Sequence, residues 1–409
     1  MNRKGGIKVY RSNKRKHYRK PKTKGQKIAS WIAVILIMAV LVFVGYSICD
    51  PVVNFINSWK NRDNLTIEDI IPVESQQSEP AETEQSSVSE SETTTAVTEP
   101  VSNESYYALE FKAGEILTAK ELGSAAQKAS EQGCTAAVIE LKAAGGAFYY
   151  QTYSEIAALS EGSIKSTMPA QQLAMTLKSM GITPIARINL LNDNNRYDYP
   201  DGTRICSYKF ASDNSNWLDN RPTNGGKPWL SPFDTDTQEY IRFLADEIYS
   251  AGFELVICDG VIFPPFHNSD LNYIGDIVKS ADRYKILINS VDIVKKSADK
   301  AGGKTALSVS AKDIINGTAE VFKPDELTAD LICVEYYPTD FGGTIVVENS
   351  EIDLSTLSEA EKAVTVMNAV RLKAGSLGII PVLHGSEPSS ETASALKNDG
   401  FKTIFFSQS

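Results

Sequence analysis

The residues of this chain best suited to chemistry are carboxylates that interrupt apolar stretches. Asp259 lies within Phe253–Phe266 (FELVICDGVIFPPF), a run typical of a strand buried on both faces. Gly260 and the pair Pro264–Pro265 break this run, so we expect Asp259 at the carboxyl end of the strand. Asp259 is then either an aspartate that caps the following loop or the acid of an active site.

Other apolar runs also end in polar side chains. These are Glu140 and Lys142, Arg187 and Asn189, Ser308 and Ser310, Glu335 and Tyr337, and His384. Because alternate residues of a strand share a face, Glu140 and Lys142 are expected together on the face of Val138. Glu140, Lys142 and Arg187 form either a structural ion-pair network or part of a binding site. His384 is either a histidine that stabilises the start of a loop or a site residue.

The elements that must position these side chains are alternating strands and helices. Strands are predicted at Tyr107–Lys112, Ala136–Lys142, Thr183–Asn189, Glu254–Gly260, Lys304–Ser310, Leu331–Tyr337, Ile379–His384 and Lys402–Ser407. Helices are predicted at Thr118–Gln132, Ala170–Met180, Asp234–Ala251, Asp270–Lys300, Ser358–Ala374 and Ser390–Asn398. This alternation predicts an α/β fold, a (β/α)8 TIM-type barrel over residues 106–409, with the polar strand ends at one rim.

Two features leave an open doubly wound sheet as the alternative. The chain ends two residues after the eighth predicted strand, so a closing helix is missing, and the segment between the fifth and sixth strands is short for a full helix.

Carboxylates on two nonadjacent strands suit glycoside hydrolysis. One carboxyl group protonates the leaving oxygen, and the other attacks the sugar or activates water. We therefore assign Asp259 and Glu335 as candidate catalytic residues, and Glu140, Lys142, Arg187, Asn189, Tyr337 and His384 as candidate substrate-binding residues. The long loop Leu190–Phe233 adds Trp217 and Trp229, which either stack on sugar rings or anchor the loop to the barrel.

The first 105 residues have a different composition from the rest. Residues 1–27 hold twelve Lys and Arg and no acid, which predicts a basic cytoplasmic tail, and residues 28–48 form an apolar run long enough to cross a membrane. A cleaved signal peptide is the competing interpretation. Residues 49–105, rich in Glu, Ser, Thr and Pro, predict a disordered acidic linker. We expect a single-pass membrane protein with its barrel domain outside the cytoplasm.

Composition also excludes several functions. After residue 27 the chain carries 29 basic and 51 acidic residues, whereas nucleic-acid binding requires a basic surface. The sequence contains no phosphate loop, no dinucleotide fingerprint, no paired-histidine metal motif and no nucleophile elbow. Cys134, Cys258 and Cys333 lie in apolar segments typical of the core. We expect no cofactor, no metal and no nucleic-acid partner.

Four motifs in order resemble those of a glycoside hydrolase-like TIM-barrel family whose fourth strand reads F-D-Y-V-R-F-P. They are VIELKAAGG (Val138–Gly146), IARINLL (Ile185–Leu191), KPWLSPF (Lys227–Phe233) and CDGVIFP (Cys258–Pro264). The resemblance implies a barrel that acts on polysaccharide, with a catalytic-type acid at Asp259 and site residues at Lys142 and Arg187. The family's tyrosine and arginine after the aspartate are replaced by Gly260 and Ile262.

The sequence therefore supports two main hypotheses. One is a membrane-anchored glycosidase that cuts a cell-surface or matrix polysaccharide. The other is a catalytically inactive barrel that binds glycan. A structural scaffold without saccharide binding is a third hypothesis. Separations of roughly 5 to 9.5 Å between the carboxyl groups of Asp259 and Glu335 would permit hydrolysis.

Overall fold

A computed structural model describes residues 106–267, 270, 274, 283–347 and 350–408. The predicted basic tail, membrane span and linker at 1–27, 28–48 and 49–105 lie outside these ranges. Within them, no helix combines the length and apolarity needed to cross a membrane.

Eight parallel strands form a closed barrel. They are β1 (Tyr107–Phe111), β2 (Ala136–Lys142), β3 (Thr183–Asn189), β4 (Leu255–Asp259), β5 (Lys304–Ser310), β6 (Leu331–Tyr336), β9 (Gly378–His384) and β10 (Ile404–Ser407). Around the barrel the order is β1-β10-β9-β6-β5-β4-β3-β2. The predicted TIM-type barrel is confirmed, and each predicted strand differs from the observed one by at most two residues at either end. The alternative of an open sheet is wrong, because β1 pairs with β10.

Helices connect most of the strands. They are α1 (Ala119–Glu131), α2 (Glu155–Ala158), α3 (Ala170–Ser179), α4 (Thr235–Ser250), α5 (Arg283–Ala301), α6 (Ala311–Asn316), α7 (Glu359–Ala374) and α8 (Glu391–Asn398). Sequence defines their starts well. Thr118 and Ser358 each form a capping box with the glutamate three residues later.

Two short helices, α2 and α6, and one hairpin were absent from the sequence prediction. The short segment after β5 forms α6, which Ser310 caps and Gly317 ends in a left-handed conformation. An antiparallel hairpin, β7 (Thr344–Val347) and β8 (Ser350–Asp353), follows β6. The short segment that argued against a barrel therefore supplies a compact crossover between β5 and β6.

The barrel has an inner and an outer core. The inner core is filled by side chains of the strands, including Ala108, Val138, Ile185, Ile257 and Phe405. The outer core lies between the strands and the helices. Cys134, Cys258 and Cys333 are buried, as predicted. Polar groups that lie on the inner face above this core must reach the mouth of the barrel.

Candidate functional site

A layer of polar side chains lies above the inner core, at the carboxyl ends of the strands. Each barrel strand contributes one residue, placed two positions after a residue of the inner core: Glu110, Glu140, Arg187, Asp259, Ser308, Glu335, His384 and Ser407. We call this set the mouth layer. Glu110 and Ser407 were missed from sequence, although the same alternation along their strands identifies both.

Arg187 is the cation at the centre of the mouth layer. Its Nε lies 2.5 Å from Glu110 Oε1, and its Nη1 lies 2.8 Å from Glu335 Oε1 and 3.6 Å from Asp259 Oδ2. Nη1 also donates a hydrogen bond of 3.1 Å to Ser308 Oγ. Its Nη2 is buried without a hydrogen-bond partner among the described residues. One guanidinium thus links strands β1, β4, β5 and β6 across the mouth.

Glu335 is held on both carboxylate oxygens. Oε1 accepts hydrogen bonds from Arg187 Nη1 (2.8 Å) and Ser308 Oγ (2.7 Å), and Oε2 lies 2.6 Å from His384 Nε2. Burial alone would raise the pKa of Glu335. The charge of Arg187 and the hydrogen bonds from His384 and Ser308 outweigh burial and hold this pKa well below its usual value. Glu335 therefore stays ionised across the physiological pH range.

Asp259 lies in a different environment although it shares the same arginine. Its side chain is 38% exposed, and Oδ1 accepts a hydrogen bond of 2.7 Å from the backbone N–H of Gly260. Loss of hydration raises the pKa of Asp259, and the charge of Glu335 raises it further, whereas Arg187 opposes the shift. Two carboxyl groups whose environments move their pKa values in opposite directions are the usual pattern of an acid and an ionised partner.

The separation of the two carboxylates has an upper bound. Asp259 Oδ2 and Glu335 Oε1 both lie near Arg187 Nη1, at 3.6 and 2.8 Å, so these oxygens are at most about 6.4 Å apart. Glycosidases use carboxyl groups roughly 5 to 9.5 Å apart. The upper bound therefore does not exceed the separation that hydrolysis requires, and Asp259 and Glu335 remain the candidate catalytic pair.

Glu140 is a further carboxyl group on the inner face. One of its oxygens accepts a hydrogen bond of 2.7 Å from the backbone N–H of Ala113. Burial raises the pKa of Glu140, and the charges of Asp259 and Glu110 add to this, against the opposing effects of the Ala113 hydrogen bond and Arg187. The mouth layer thus contains four carboxyl groups around one guanidinium.

Tyr337 supplies an exposed aromatic surface at the rim. It follows β6, is 41% exposed, and stacks on His384 with ring centroids 3.8 Å apart and planes 12° apart. Burial raises the pKa of Tyr337, and the charge of Glu335 adds to this, so its hydroxyl stays protonated. Tyr337 and His384 lie together beside Glu335, as the sequence predicted from the strand ends.

Lys142 does not share the inner face with Glu140, and that prediction is wrong. A β-bulge between Glu140 and Lys142 shifts the register and turns Lys142 outward. Lys142 is 1% exposed, and its Nζ lies 2.9 Å from Asp193 Oδ2 and donates a hydrogen bond of 2.8 Å to Asn189 O. Lys142 therefore belongs to a buried ion pair beneath the loop that follows β3.

Asn189 is the last residue of β3, and its side chain is buried. Its Oδ1 accepts a hydrogen bond of 3.0 Å from Asn192 N, and its backbone carbonyl accepts the bond from Lys142. An added Cβ at Gly260 would collide with the Asn189 amide. The structure thus places Asn189 against the backbone that carries Asp259.

The two tryptophans of the long loop lie in its hydrophobic interior. Trp217 is 1% exposed and packs against Tyr208 and Phe266, with ring centroids 5.8 and 5.0 Å away. Trp229 is also buried, and its Nε1 donates a hydrogen bond of 3.1 Å to Asp219. These positions fit the interpretation that both rings anchor the loop.

The two departures from the F-D-Y-V-R-F-P pattern lie beside Asp259. Gly260 has a φ of +58°, a left-handed conformation that favours glycine. Ile262 is 43% exposed. Gly260 thus has no side chain, and Ile262 has an exposed apolar one, where that pattern has a tyrosine and an arginine. Within the described ranges, no His, Cys, Asp and Glu side chains assemble into a group of three suited to a metal ion.

No curated protein sequence matches the chain. Among solved structures, the glycoside hydrolase domain of PgaB (BpsB) from Bordetella bronchiseptica is 13% identical, with a TM-score of 0.47, and the match covers 73% of this chain and 92% of that one. The glycoside hydrolase domain of PelA from Pseudomonas aeruginosa is 13% identical, with a TM-score of 0.37, over 74% and 94%. A hypothetical protein from Ruminiclostridium thermocellum ATCC 27405 is 17% identical, with a TM-score of 0.37, over 49% and 96%.

The family comparison covers the part of the chain that builds most of the mouth layer. Residues 112–352, more than half of the 409 residues, match a single family model, and this range includes Glu140, Arg187, Asp259, Ser308 and Glu335. The chain therefore belongs to the family described as "Putative glycosyl hydrolase domain".

Proposed function

We propose that this protein is a membrane-anchored, extracytoplasmic glycoside hydrolase that acts on a cell-surface or matrix polysaccharide. The observation that carries the proposal is the pair Asp259 and Glu335. Their pKa values are shifted in opposite directions although the two carboxylates share one guanidinium nitrogen. Family membership and the position of the pair at the carboxyl ends of barrel strands support the same reaction class.

Asp259 is the general acid in this proposal. Its raised pKa keeps a larger share of the protonated form than an ordinary aspartate has, and its exposed side chain can reach a glycosidic oxygen. The proton passes to that oxygen as its bond to the anomeric carbon breaks. Asp259, now ionised, accepts a proton from the water that adds to the anomeric carbon. The products are two saccharides, one with a new reducing end.

Glu335 is the ionised partner. Arg187, Ser308 and His384 fix its carboxylate and keep it negative. A fixed negative charge at this place stabilises the positive charge that develops on the sugar in an oxocarbenium-like transition state. Tyr337 gives the sugar an apolar face at the rim, and Glu140 lines the β2 side of the mouth.

The proposed location rests on the sequence before the barrel. Residues 28–48 are apolar, and the twelve Lys and Arg residues before them favour a cytoplasmic amino terminus. Membrane fractionation of the full-length chain and of a variant lacking residues 1–48 tests the anchor. We expect only the full-length chain in the membrane fraction, with its barrel accessible to external protease.

Release of reducing ends tests the proposed chemistry. The fragment 106–409, which contains every strand of the closed barrel, is incubated with neutral, acidic and amino-sugar polysaccharides alongside Asp259→Asn. Release by the native fragment that falls at least about 100-fold in Asp259→Asn supports a glycosidase with Asp259 as its acid. Release that survives this substitution overturns the assignment of Asp259.

A glycan-binding barrel without hydrolysis is the second candidate function. The observation in its favour is that Gly260 and Ile262 stand where the F-D-Y-V-R-F-P pattern has a tyrosine and an arginine. It predicts saccharide binding by both the native fragment and Asp259→Asn, with no reducing ends released by either. Isothermal titration with the same polysaccharides separates this outcome from a loss of binding.

A further inference from the structure

Lys142 is a buried cation that lies outside the mouth layer. Its Nζ contacts Asp193 Oδ2 at 2.9 Å and Asn189 O at 2.8 Å, and it lies over the rings of Phe148 and Tyr240, 5.8 and 5.9 Å from their centroids. A lysine is almost never fully buried unless its charge is paired. The pair with Asp193 explains why the charge is tolerated. The second contact, to Asn189 O, joins Lys142 to the last residue of β3.

The hydrogen bond from Lys142 to Asn189 fixes the residue that stands beside Asp259. Asn189 and Asp259 are register partners on β3 and β4. The backbone continues this pairing, because Leu190 N donates to Asp259 O at 2.8 Å and Leu191 N donates to Gly260 O at 3.3 Å. The carboxyl ends of the two strands therefore move together.

The side chain of Asn189 makes a second connection to the same place. Its amide lies so close to Gly260 that an added Cβ there would collide with it, and its Oδ1 is held by Asn192 N. Gly260 N in turn donates a hydrogen bond of 2.7 Å to Asp259 Oδ1. A displacement of Asn189 is thus transmitted to both the backbone and the carboxylate of Asp259.

We propose that Lys142 is a positioning residue that acts through Asn189 to place the carboxylate of Asp259. The function of this placement rests on the proposed role of Asp259 as the acid of the site. Lys142 touches no substrate in this arrangement. It holds the carbonyl of Asn189, and Asn189 fixes the turn Asp259–Gly260 at which Asp259 Oδ2 lies 3.6 Å from Arg187 Nη1.

The experiment removes the link while leaving no unpaired buried charge. The full-length variant Lys142→Met/Asp193→Asn loses both charges of the pair together. Tyr197→Phe is the matched control, because Tyr197 donates to Asp193 Oδ2 at 2.8 Å in the same buried network and makes no hydrogen bond to Asn189 in the described part of the chain. Lys142→Arg retains the charge and a donor. Circular dichroism and melting temperature establish that each variant is folded.

The first readout is the titration of the Asp259 carboxyl, followed by carbon-13 NMR, with Asp259→Asn used to assign the signal. We expect the pKa of Asp259 to differ from its native value in the double variant, because the distance from its carboxylate to Arg187 changes, and to stay unchanged in Tyr197→Phe. An unchanged Asp259 titration in a folded double variant overturns the proposal. If the double variant does not fold, Lys142→Gln makes the same test, since its shorter side chain withdraws the donor from Asn189 O. Asn189→Ala tests the next step separately, because it removes the amide that lies against Gly260.

The second readout is hydrolysis. A misplaced acid lowers kcat by about 100-fold and leaves KM within about threefold, with partial rescue by Lys142→Arg. If the native protein hydrolyses no polysaccharide, the proposed function fails, and the Asp259 titration still decides whether Lys142 positions the carboxylate. A fall in kcat in Tyr197→Phe equal to that of the double variant would assign the effect to the buried network as a whole and overturn a specific role for Lys142.

Discussion

The phenol ring of Tyr337 lies parallel to the imidazole of His384, with centroids 3.8 Å apart and planes 12° apart. His384 Nε2 lies 2.6 Å from Glu335 Oε2, so the imidazole connects an exposed aromatic face to a buried carboxylate. A sugar ring placed on the outer face of Tyr337 would lie next to the mouth layer. The stack thus offers a binding surface whose position is determined by the contact between His384 and Glu335.

We predict that Tyr337→Ala weakens saccharide binding about tenfold. Aromatic contacts contribute roughly 0.5–1.5 kcal/mol, and 1.4 kcal/mol corresponds to a factor of ten. Tyr337→Phe keeps the ring and should keep the affinity. Isothermal titration with oligosaccharides measures both variants. Equal affinity of Tyr337→Ala and the native protein would remove Tyr337 from the binding site.

Arg187 should stabilise the barrel as well as organise the site. Arg187→Met leaves Glu110 and Glu335 buried without their cation, which costs about 3–5 kcal/mol of unfolding free energy at neutral pH. Urea denaturation measures this loss. Arg242→Met is the control, since Arg242 pairs with Glu239 and Asp246 on the surface, where an ion pair contributes about 0–1 kcal/mol. Equal losses in the two variants would contradict the central role of Arg187.

The same arginine predicts how stability depends on pH. The pKa of Glu335 is lower in the folded protein than its ordinary value of 4.5, because Arg187 and its hydrogen-bond donors outweigh burial. Its contribution is therefore fully present above pH 4.5 and is lost as the pH falls through the lower folded value. In Arg187→Met this acid-side loss should be smaller. A denaturation series from pH 7 to pH 3 makes the comparison.

The contribution of Asp259 to stability should depend on pH in the opposite sense to that of Glu335. Burial raises the pKa of Asp259 above the ordinary value of 3.8, so its contribution is full below pH 3.8 and is lost as the pH rises through the folded pKa. Asp259→Asn is therefore expected to raise the melting temperature at pH 7 and to leave it unchanged near pH 3. Asp353→Asn is a control of opposite sign, because hydrogen bonds from Ser355 lower the pKa of Asp353. A lower melting temperature of Asp259→Asn at pH 7 would contradict the raised pKa.

Gly260 should tolerate no side chain while Asn189 is present. Gly260→Tyr introduces a bulky side chain at a φ of +58° and against the Asn189 amide, which should cost about 1–3 kcal/mol of unfolding free energy. Adding Asn189→Gly should restore part of that loss. Ile262→Arg places a charged side chain at an exposed position and should change the free energy of unfolding by less than about 0.5 kcal/mol. Chemical denaturation of all three variants makes the test.

The sequence predicted the barrel and its rim because both follow from short-range patterns. Alternation of apolar and polar residues within each strand located Asp259, Glu335 and His384, and the structure brings them to one mouth. The alternation rule failed for Lys142. A single β-bulge reverses the face of every residue that follows it in the strand, and no residue type in the sequence indicates this bulge. Trp217 shows a second limit, since the sequence of a long loop does not tell which of its aromatic rings are buried.

The pairing of β1 with β10 also determines when the barrel can form. Tyr107 and Ile404 are partners in the sheet although nearly 300 residues separate them along the chain. During synthesis at roughly 5–20 residues per second, the strand β1 leaves the ribosome many seconds before its partner exists. Until Phe405 and Phe406 join the core, both edges of the growing sheet stay open to pairing with other chains. The barrel therefore cannot close before its last strand has been made, and until then the edges of β1 and β9 are unpaired.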